Sequence, residues 1–381
     1  MISDVYFPRI NGVSTSIESF RQSLVELDVD VHIVAPDYPL PHEDDANIVR
    51  VPSRRVPLDP EDRLMNGRAL QAVLDRCTPA RFDLVHVQTP FAAHYAGLRH
   101  ARKHGLPCVA TYHTHFEEYL HNYVPFAPKP LLRSLARNLA RRQCNTLDAV
   151  IVPSSAMLDT LTGYGITAPM HRVPTGIPIE RFATDRRLAS ADFRARHGID
   201  IGRPVALYVG RAAHEKNIGF LLDALPHALT ACPRAMLVVA GEGPALPALR
   251  RQAETLGIAS HVRFVGYLDR RTELPECYAA ADLFVFSSRT ETQGLVLLEA
   301  MAAGLPVLAF AELGTREIVE PRRGALPAPQ EPASFGAAMA ALLNDPAQRR
   351  SMAEAGRAFA EEWSTGACAQ RLAYVYRELT H

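Results

Sequence analysis

DLFVFSSRTETQGLVLLEAMAAGLPVLAF, residues 282–310, reads as strand, loop, helix and strand. Leu283–Phe286 is apolar without alternation, the pattern of a parallel strand covered on both faces, and residues 306–310 repeat it. Residues 294–303 are apolar on every side except at Glu299, so the helix between the strands faces protein all round and carries one carboxylate inward. An unpaired buried charge is costly, so Glu299 is expected to have a hydrogen-bonding partner. The helix is expected to begin at Gly294, after Glu291, Thr292 and Gln293. That places unpaired backbone N–H groups and a positive dipole end beside a second carboxylate. An anion with hydroxyls on either side fits such a place, as in a nucleoside diphosphate sugar.

TETQGLVLLEAMAAGLPV, residues 290–307, resembles the signature of retaining GT-B glycosyltransferases of the family 4 type (glycosyl transferase group 1). In that signature two glutamates stand eight positions apart, here Glu291 and Glu299. The resemblance implies that Glu291 contacts the donor sugar and Glu299 the ribose, with Thr292, Gln293, Gly294 and Leu295 lining the donor site. Taken alone, Glu291 would read as a solvated loop acid. Gln293 stands where many relatives have an aromatic residue, and the TETQG form resembles the branch that glycosylates diacylglycerol or related lipids. The implied fold class is α/β, a GT-B pair of Rossmann-like doubly wound parallel-sheet domains facing a cleft.

Composition agrees with two domains. The chain has 381 residues, 48% of them hydrophobic, enough core for both. Zero formal net charge offers no broad basic field, so nucleic acid is not expected as a partner. Cys77, Cys108, Cys144, Cys232, Cys277 and Cys368 contain no CxxC pair and read as reduced thiols, without a zinc site or disulfide framework. No apolar run approaches the roughly 18 residues of a membrane span, and no signal peptide is evident. The expected location is therefore the cytoplasm, with attachment to the inner face of the cell membrane as the furthest extension.

In the first half, residues 1–3 are short for a first strand, where relatives begin with several more apolar residues. DVYFPRINGVSTSI, residues 4–17, then reads as a strand-to-helix turn. Gly12 sits before a helix expected from about Ser14, and its missing side chain lets a phosphate come close. By resemblance this loop lies beside the donor diphosphate. Strands are expected at 31–36, 48–52, 84–87, 108–112 and 149–153, and helices at 14–27, 66–76 and 93–104. Asp28, Val29 and Asp30 match a DxD metal motif, but they lie on the connection into a strand, the end opposite ligand sites, so no metal is assigned.

YHTHFEEYLHNY, residues 112–123, follows a strand at its carboxyl end, where open α/β sheets hold ligands. His113 is therefore the candidate for contact with the transferred sugar, and it resembles the YHT or FHT motif of lipid-modifying members. His115, Glu118 and Tyr119 are candidate acceptor contacts, in a stretch that also holds Glu117 and His121. The stretch lacks the H-E-x-x-H spacing and nearby cysteine ligands, against zinc. Downstream, Lys129, Arg133, Arg137 and Arg141 recur every fourth residue with Leu131, Leu135 and Leu139 roughly opposite. This is either a solvated face over a core face or a surface for an anionic bilayer. HRVPTGIPIERF, residues 171–182, resembles the family's exit from the first domain.

In the second half, residues 186–203 read as a charged linker. The strand at 205–209 runs into GRAAHEKNIGFLLDAL, residues 210–225, in which Arg211 and Lys216 precede a helix opening near Asn217. Their expected task is to neutralise a diphosphate leaving group, which makes a divalent metal unnecessary. By resemblance they bind the donor phosphates. GEGP, residues 241–244, gives G-x-G-x-x-L and lacks the third glycine of a dinucleotide fingerprint. Gly266, Tyr267 and Leu268 follow a strand at 262–265 and by resemblance line the base pocket. ELGTREIV, residues 312–319, resembles the next family loop, and residues 363–381 the final helix that returns to the first domain, with Leu372, Val375 and Leu379 as its apolar stripe.

The expected domains are 1–183 with 364–381 on the acceptor side, and 184–363 for the nucleotide sugar. The expected reaction is retaining transfer of a hexose from a UDP- or GDP-sugar to a hydroxyl of a membrane lipid such as diacylglycerol, without cofactor or metal. His113, Glu291, Arg211 and Lys216 are the expected catalytic set, brought together as the cleft closes. Transfer to a soluble sugar or polysaccharide precursor is the alternative. A nucleotide-sugar epimerase, a phosphorylase with pyridoxal phosphate and an inactive binding module are remoter readings.

Overall fold

The computed structural model describes residues 1–39, 44–56, 59–77, 81–113, 129–183 and 186–380. The chain divides into two compact units, Met1–Gly176 with Thr365–His381, and Ile177–Ser364. The break falls at Gly176, ahead of the expected boundary at 183. Ile179–Phe182 already belongs to the second unit as a short 3-10 helix, with Phe182 packed edge-on against Tyr278.

The first unit has strands β1 (Ile33–Pro36), β2 (Ile48–Val51), β3 (Ser53–Val56), β4 (Asp59–Met65), β5 (Val85–Val87), β6 (Cys108–Thr111), β7 (Ala149–Val152) and β8 (Met170–Arg172). β1 and β2 pair in parallel, and β5, β6, β7 and β8 form a second parallel run in that order. Ile2 joins the two runs, bridging Val34 of β1 on one side and Val87 of β5 on the other. The first strand is thus a single bridge in length but central in place. The chain passes from Ile2 outward through β1 and β2, then crosses to β5, so the order reverses beside Ile2, and ligand crevices form at such points. The antiparallel hairpin of β3 and β4 and the edge strand β8 were not anticipated from sequence.

The second unit is one six-stranded parallel sheet, ordered β11 (Val262–Gly266), β10 (Met236–Ala240), β9 (Val205–Val209), β12 (Leu283–Phe286), β13 (Val307–Ala309) and β14 (Ala325–Pro327). All residues of β9, β10, β12 and β13 are buried, as their unbroken apolar runs require. The sheet reverses between β9 and β12.

Two expectations are corrected. Residues 186–203 are no loose linker: Arg186–Arg196 is a helix that buries Phe193, and Arg194 beneath it donates to the carbonyls of Ala280, Asp200 and Arg203 at 3.0, 3.0 and 2.9 Å. Charge content hid a helix whose arginine serves as an internal brace. In the helix Lys129–Cys144, Leu135 and Leu139 are exposed, at 59% and 45%, while Ala136, Ala140, Gln143 and Cys144 are buried. The alanines share the fourfold spacing of the leucines, and the closer backbone approach they permit selects their face for packing. The returning helix Thr365–Thr380 buries Cys368, Ala369, Leu372, Ala373 and Val375 in the first unit. None of the helices among the described residues is long and apolar enough to cross a membrane.

Candidate active site

At the reversal between β9 and β12, two loops are tied together. β9 ends at Val209 and passes through Gly210 and Arg211 to a 3-10 turn, His214–Lys216, and then to the helix Ile218–Ala231. Between turn and helix Asn217 takes a left-handed conformation, φ 55°. Its Nδ2 donates to Ser287 O at 3.2 Å, and Ser287 Oγ donates back to Asn217 O at 2.9 Å. This clip fixes the start of the loop after β12. Further along that loop Glu291 accepts from Lys216 Nζ at 2.6 Å, with both side chains mostly buried. Arg211 is exposed beside them in sequence, directly after the strand. The cations and the first glutamate read from the sequence therefore meet, or stand next in chain, at the switch point of the sheet.

Four glycines shape these loops. Gly314 lets the turn after β13 reach the β12 loop: its N–H donates to Glu291 O at 2.9 Å, and a β carbon there would stand 2.1 Å from Thr292 O. Gly294, at φ 91°, ends that loop and precedes the helix Leu295–Ala302, which starts one residue later than expected. Gly241 and Gly243 of the rejected fingerprint have a packing task, since β carbons there would stand 2.0 and 2.5 Å from the carbonyls of Gly210 and Ala212. Ala212 N–H donates to Glu242 O at 2.8 Å, so the GEGP loop braces the loop that carries Arg211. The GEGP motif itself carries no sign of that role.

Glu299 is 2% exposed and has the partners its burial demands. Arg270 Nη2 donates to Oε1 at 2.8 Å and Tyr278 Oη to Oε2 at 2.9 Å. Burial, then the Glu299 charge, holds the Tyr278 phenol well above its ordinary range, so it remains a donor. Arg270 comes from the loop that follows β11, four residues after Gly266. In the same loop Tyr267 is exposed and Leu268 buried, and this loop leaves the sheet at its edge strand.

The first unit places its candidates at its own reversal. Gly12 is the first residue of the helix Gly12–Val25 and lies in no tight turn, contrary to expectation. The turn is made by Asn11, whose side chain accepts from Ser14 N–H at 2.8 Å, and a β carbon on Gly12 would meet nothing within 4 Å. His113 follows β6, and its Nε2–H donates to Gln88 Oε1, 2.7 Å away at the end of β5. Burial lowers the His113 pKa to about 4, so the ring is neutral with the proton on Nε2 and Nδ1 as its acceptor atom. Asp4, in the loop after Ile2, accepts from Thr89 Oγ1 at 2.7 Å and from Ala93 N–H at 3.1 Å. It thereby caps the helix Ala92–His104, whose own N-cap, Phe91, supplies no side-chain bond. Burial raises Asp4 to about 6. Gln88 and Asp4 were not singled out from sequence; polar residues at the carboxyl ends of adjoining strands were the available signal.

His115, Glu118 and Tyr119 lie outside the described residues, as do Glu117 and His121. Of the basic series, Arg133, Arg137 and Arg141 are exposed, Arg137 with its guanidinium 5.5 Å from the Tyr164 ring centre, and the Lys129 side chain is outside the description. Asp28 and Asp30 lie ahead of β1, at the amino end of the strand, opposite the end at which the first unit's candidates lie.

Residues 10–181 match the family described as Glycosyltransferase Family 4, and residues 190–359 match Glycosyl transferases group 1. The alpha-monoglucosyldiacylglycerol synthase of Streptococcus pneumoniae is 34% identical over 314 residues, covering 81% of this chain and 70% of that protein. The chain belongs to the family 4, group 1 glycosyltransferases. A GDP-mannose-dependent alpha-mannosyltransferase of Mycobacterium tuberculosis is 31% identical across 86% of this chain and 82% of its own length. Among solved structures, Anabaena HepE in complex with UDP and glucose superposes with a TM-score of 0.78 over 99% of both chains at 19% identity. The fold is GT-B, and this family member is a glycosyltransferase.

Proposed function

We propose that this glycosyltransferase moves a hexose, with retention of anomeric configuration, from a nucleoside diphosphate sugar to a hydroxyl of a membrane lipid such as diacylglycerol. The observation that carries the reading is the Lys216–Glu291 pair at the sheet reversal, beside Arg211. It sets a cation for the diphosphate next to a carboxylate for sugar hydroxyls. Glu299 then serves the ribose, and the loop Gly266–Leu268 the base. As the anomeric C–O bond breaks, the electron pair leaves on the diphosphate. Its oxygen takes the proton of the acceptor hydroxyl while that hydroxyl's oxygen bonds to the same face of the sugar. Cationic side chains stabilise the leaving group, and no metal enters the scheme. His113, neutral across the physiological range, meets sugar hydroxyls rather than charge.

Lipid as acceptor is supported by the TETQG form and by the activity for which the Streptococcus relative is named. The exposed Leu135 and Leu139 beside Arg133, Arg137 and Arg141 add a surface suited to an anionic bilayer, each basic side chain contributing about 1 kcal/mol. The relatives are named for different sugars, so the donor is sought by experiment. UDP, GDP and ADP sugars are incubated with diacylglycerol vesicles or simple sugars, and products are read by mass spectrometry and NMR. A retained-configuration glycolipid, formed equally well in EDTA, is the expected result. An inverted product overturns the retaining scheme, loss of activity in EDTA overturns the metal-free one, and a glycosylated soluble sugar with no glycolipid favours the alternative acceptor.

A further inference from the structure

Among the described residues of the second unit, the buried side-chain oxygens and nitrogens without a hydrogen-bond partner are Tyr208 Oη, Ser288 Oγ and Thr290 Oγ1. All three lie on β9 or just beyond β12, the strands that flank the reversal. β9 and β12 are direct neighbours, with Leu207 opposite Phe284. The Tyr208 ring lies flat against Phe286, centroids 5.7 Å apart and planes 10° from parallel. Ser288 follows Phe286 by two residues, the spacing that returns a side chain to one face of an extended chain. Tyr208 and Ser288 are fully buried. Room for the phenol is left by Gly210, where a β carbon would stand 2.8 Å from Tyr208 Oη.

A buried hydroxyl left unpaired is destabilising, and such groups are rare enough that three on or just beyond adjoining strands call for a cause. The neighbouring polar groups are partnered: Ser287 with Asn217, and Glu291 with Lys216. The three hydroxyls are not. Each can donate one hydrogen bond and accept another, which matches a sugar hydroxyl. A phosphate oxygen only accepts, and the Glu291 charge that helps hold the Tyr208 phenol protonated repels it.

We propose that Tyr208, Ser288 and Thr290 form a neutral hydrogen-bonding subsite for the hydroxyls of the transferred sugar, and that this subsite discriminates between donor sugars. The inference rests on the proposed function and assigns part of the same site. Tyr208→Phe, Ser288→Ala and Thr290→Val each remove the hydroxyl with little change of shape. The ligand-free thermal midpoint and, by calorimetry, the Kd for the bound nucleoside diphosphate and for its sugar conjugate are measured for each. The expected result is a midpoint unchanged or raised, a Kd for the nucleotide sugar weakened about tenfold, and a Kd for the bare diphosphate within about twofold of wild type. Equal weakening for both ligands, no weakening, or a lowered midpoint in all three variants overturns the subsite. If wild type binds neither the diphosphates nor the sugar conjugates of the UDP, GDP and ADP series, the donor reading itself falls and takes the inference with it.

Discussion

The two sheet reversals in this chain carry opposite electrostatics. In the second unit, charged groups stand in close ion pairs: Lys216 with Glu291, Arg270 with Glu299. In the first unit, titratable groups are pushed toward neutrality by burial: His113 down to about 4 and Asp4 up to about 6. Under the proposed function one architecture serves two tasks: paired ions are available to a diphosphate, whereas a neutral imidazole and a carboxyl committed to a helix start leave a site for uncharged hydroxyls.

The largest test of this contrast is Lys216→Ala. Removing the cation beside Glu291 strips leaving-group stabilisation and leaves a mostly buried carboxylate without its partner, so turnover is expected to fall by about 100-fold or more. A wild-type rate in that variant would erase the distinction between the units. Next is Gln88→Leu, which leaves the Nε2–H of His113 without its acceptor. The proton can then shift to Nδ1, and turnover is expected to fall about tenfold with little change in thermal midpoint. A variant that loses midpoint and rate together would make Gln88 a purely structural residue.

Stability against pH sharpens the comparison further. Asp4 rises from 3.8 to about 6 on folding, so its contribution is full below pH 3.8 and is lost as pH climbs through 6. His113 falls from 6.5 to about 4, so its contribution is full above pH 6.5 and is lost as pH drops through 4. The two oppose each other between about pH 4 and 6. Asp4→Asn removes the descending limb, and midpoints of that variant are expected to rise more steeply with pH across this window than those of wild type. Parallel curves would show that Asp4 does not titrate there. The smallest effect on the folded protein is expected from Leu135→Ser with Leu139→Ser. Both side chains are exposed, so stability should move by less than about 0.5 kcal/mol while sedimentation with anionic vesicles weakens. Unaltered sedimentation would detach that helix from the bilayer argument.

Legibility in the sequence followed the range of the interaction. Glu291, Lys216 and Arg211 could be read because a buried strand, a turn and a helix start are local patterns, and the order of strands then brings the loops together. Gln88 and Arg270 could not. Their partners lie 25 and 29 residues away, and neither residue belongs to a short motif. The basic helix misled for another reason: leucines and alanines recur with the same period, and only the packing surface decides which set turns inward. The charged stretch at 186–203 misled because Arg194 is satisfied by three carbonyls that become available only in the folded unit. The leading strand was legible as short, but its central place rests on backbone pairing at Ile2, which no side-chain pattern announces.

The helix Thr365–Thr380 closes the first unit, where Tyr376 pairs its hydroxyl with His86 at 2.5 Å inside the sheet. Residues late in the chain thereby complete a core begun by much earlier ones. During translation the amino-terminal half has to wait, while the second unit, continuous in sequence, can finish as soon as it emerges. Synthesis halted just ahead of Thr365 would leave the second unit able to fold and the first without the helix that completes its core.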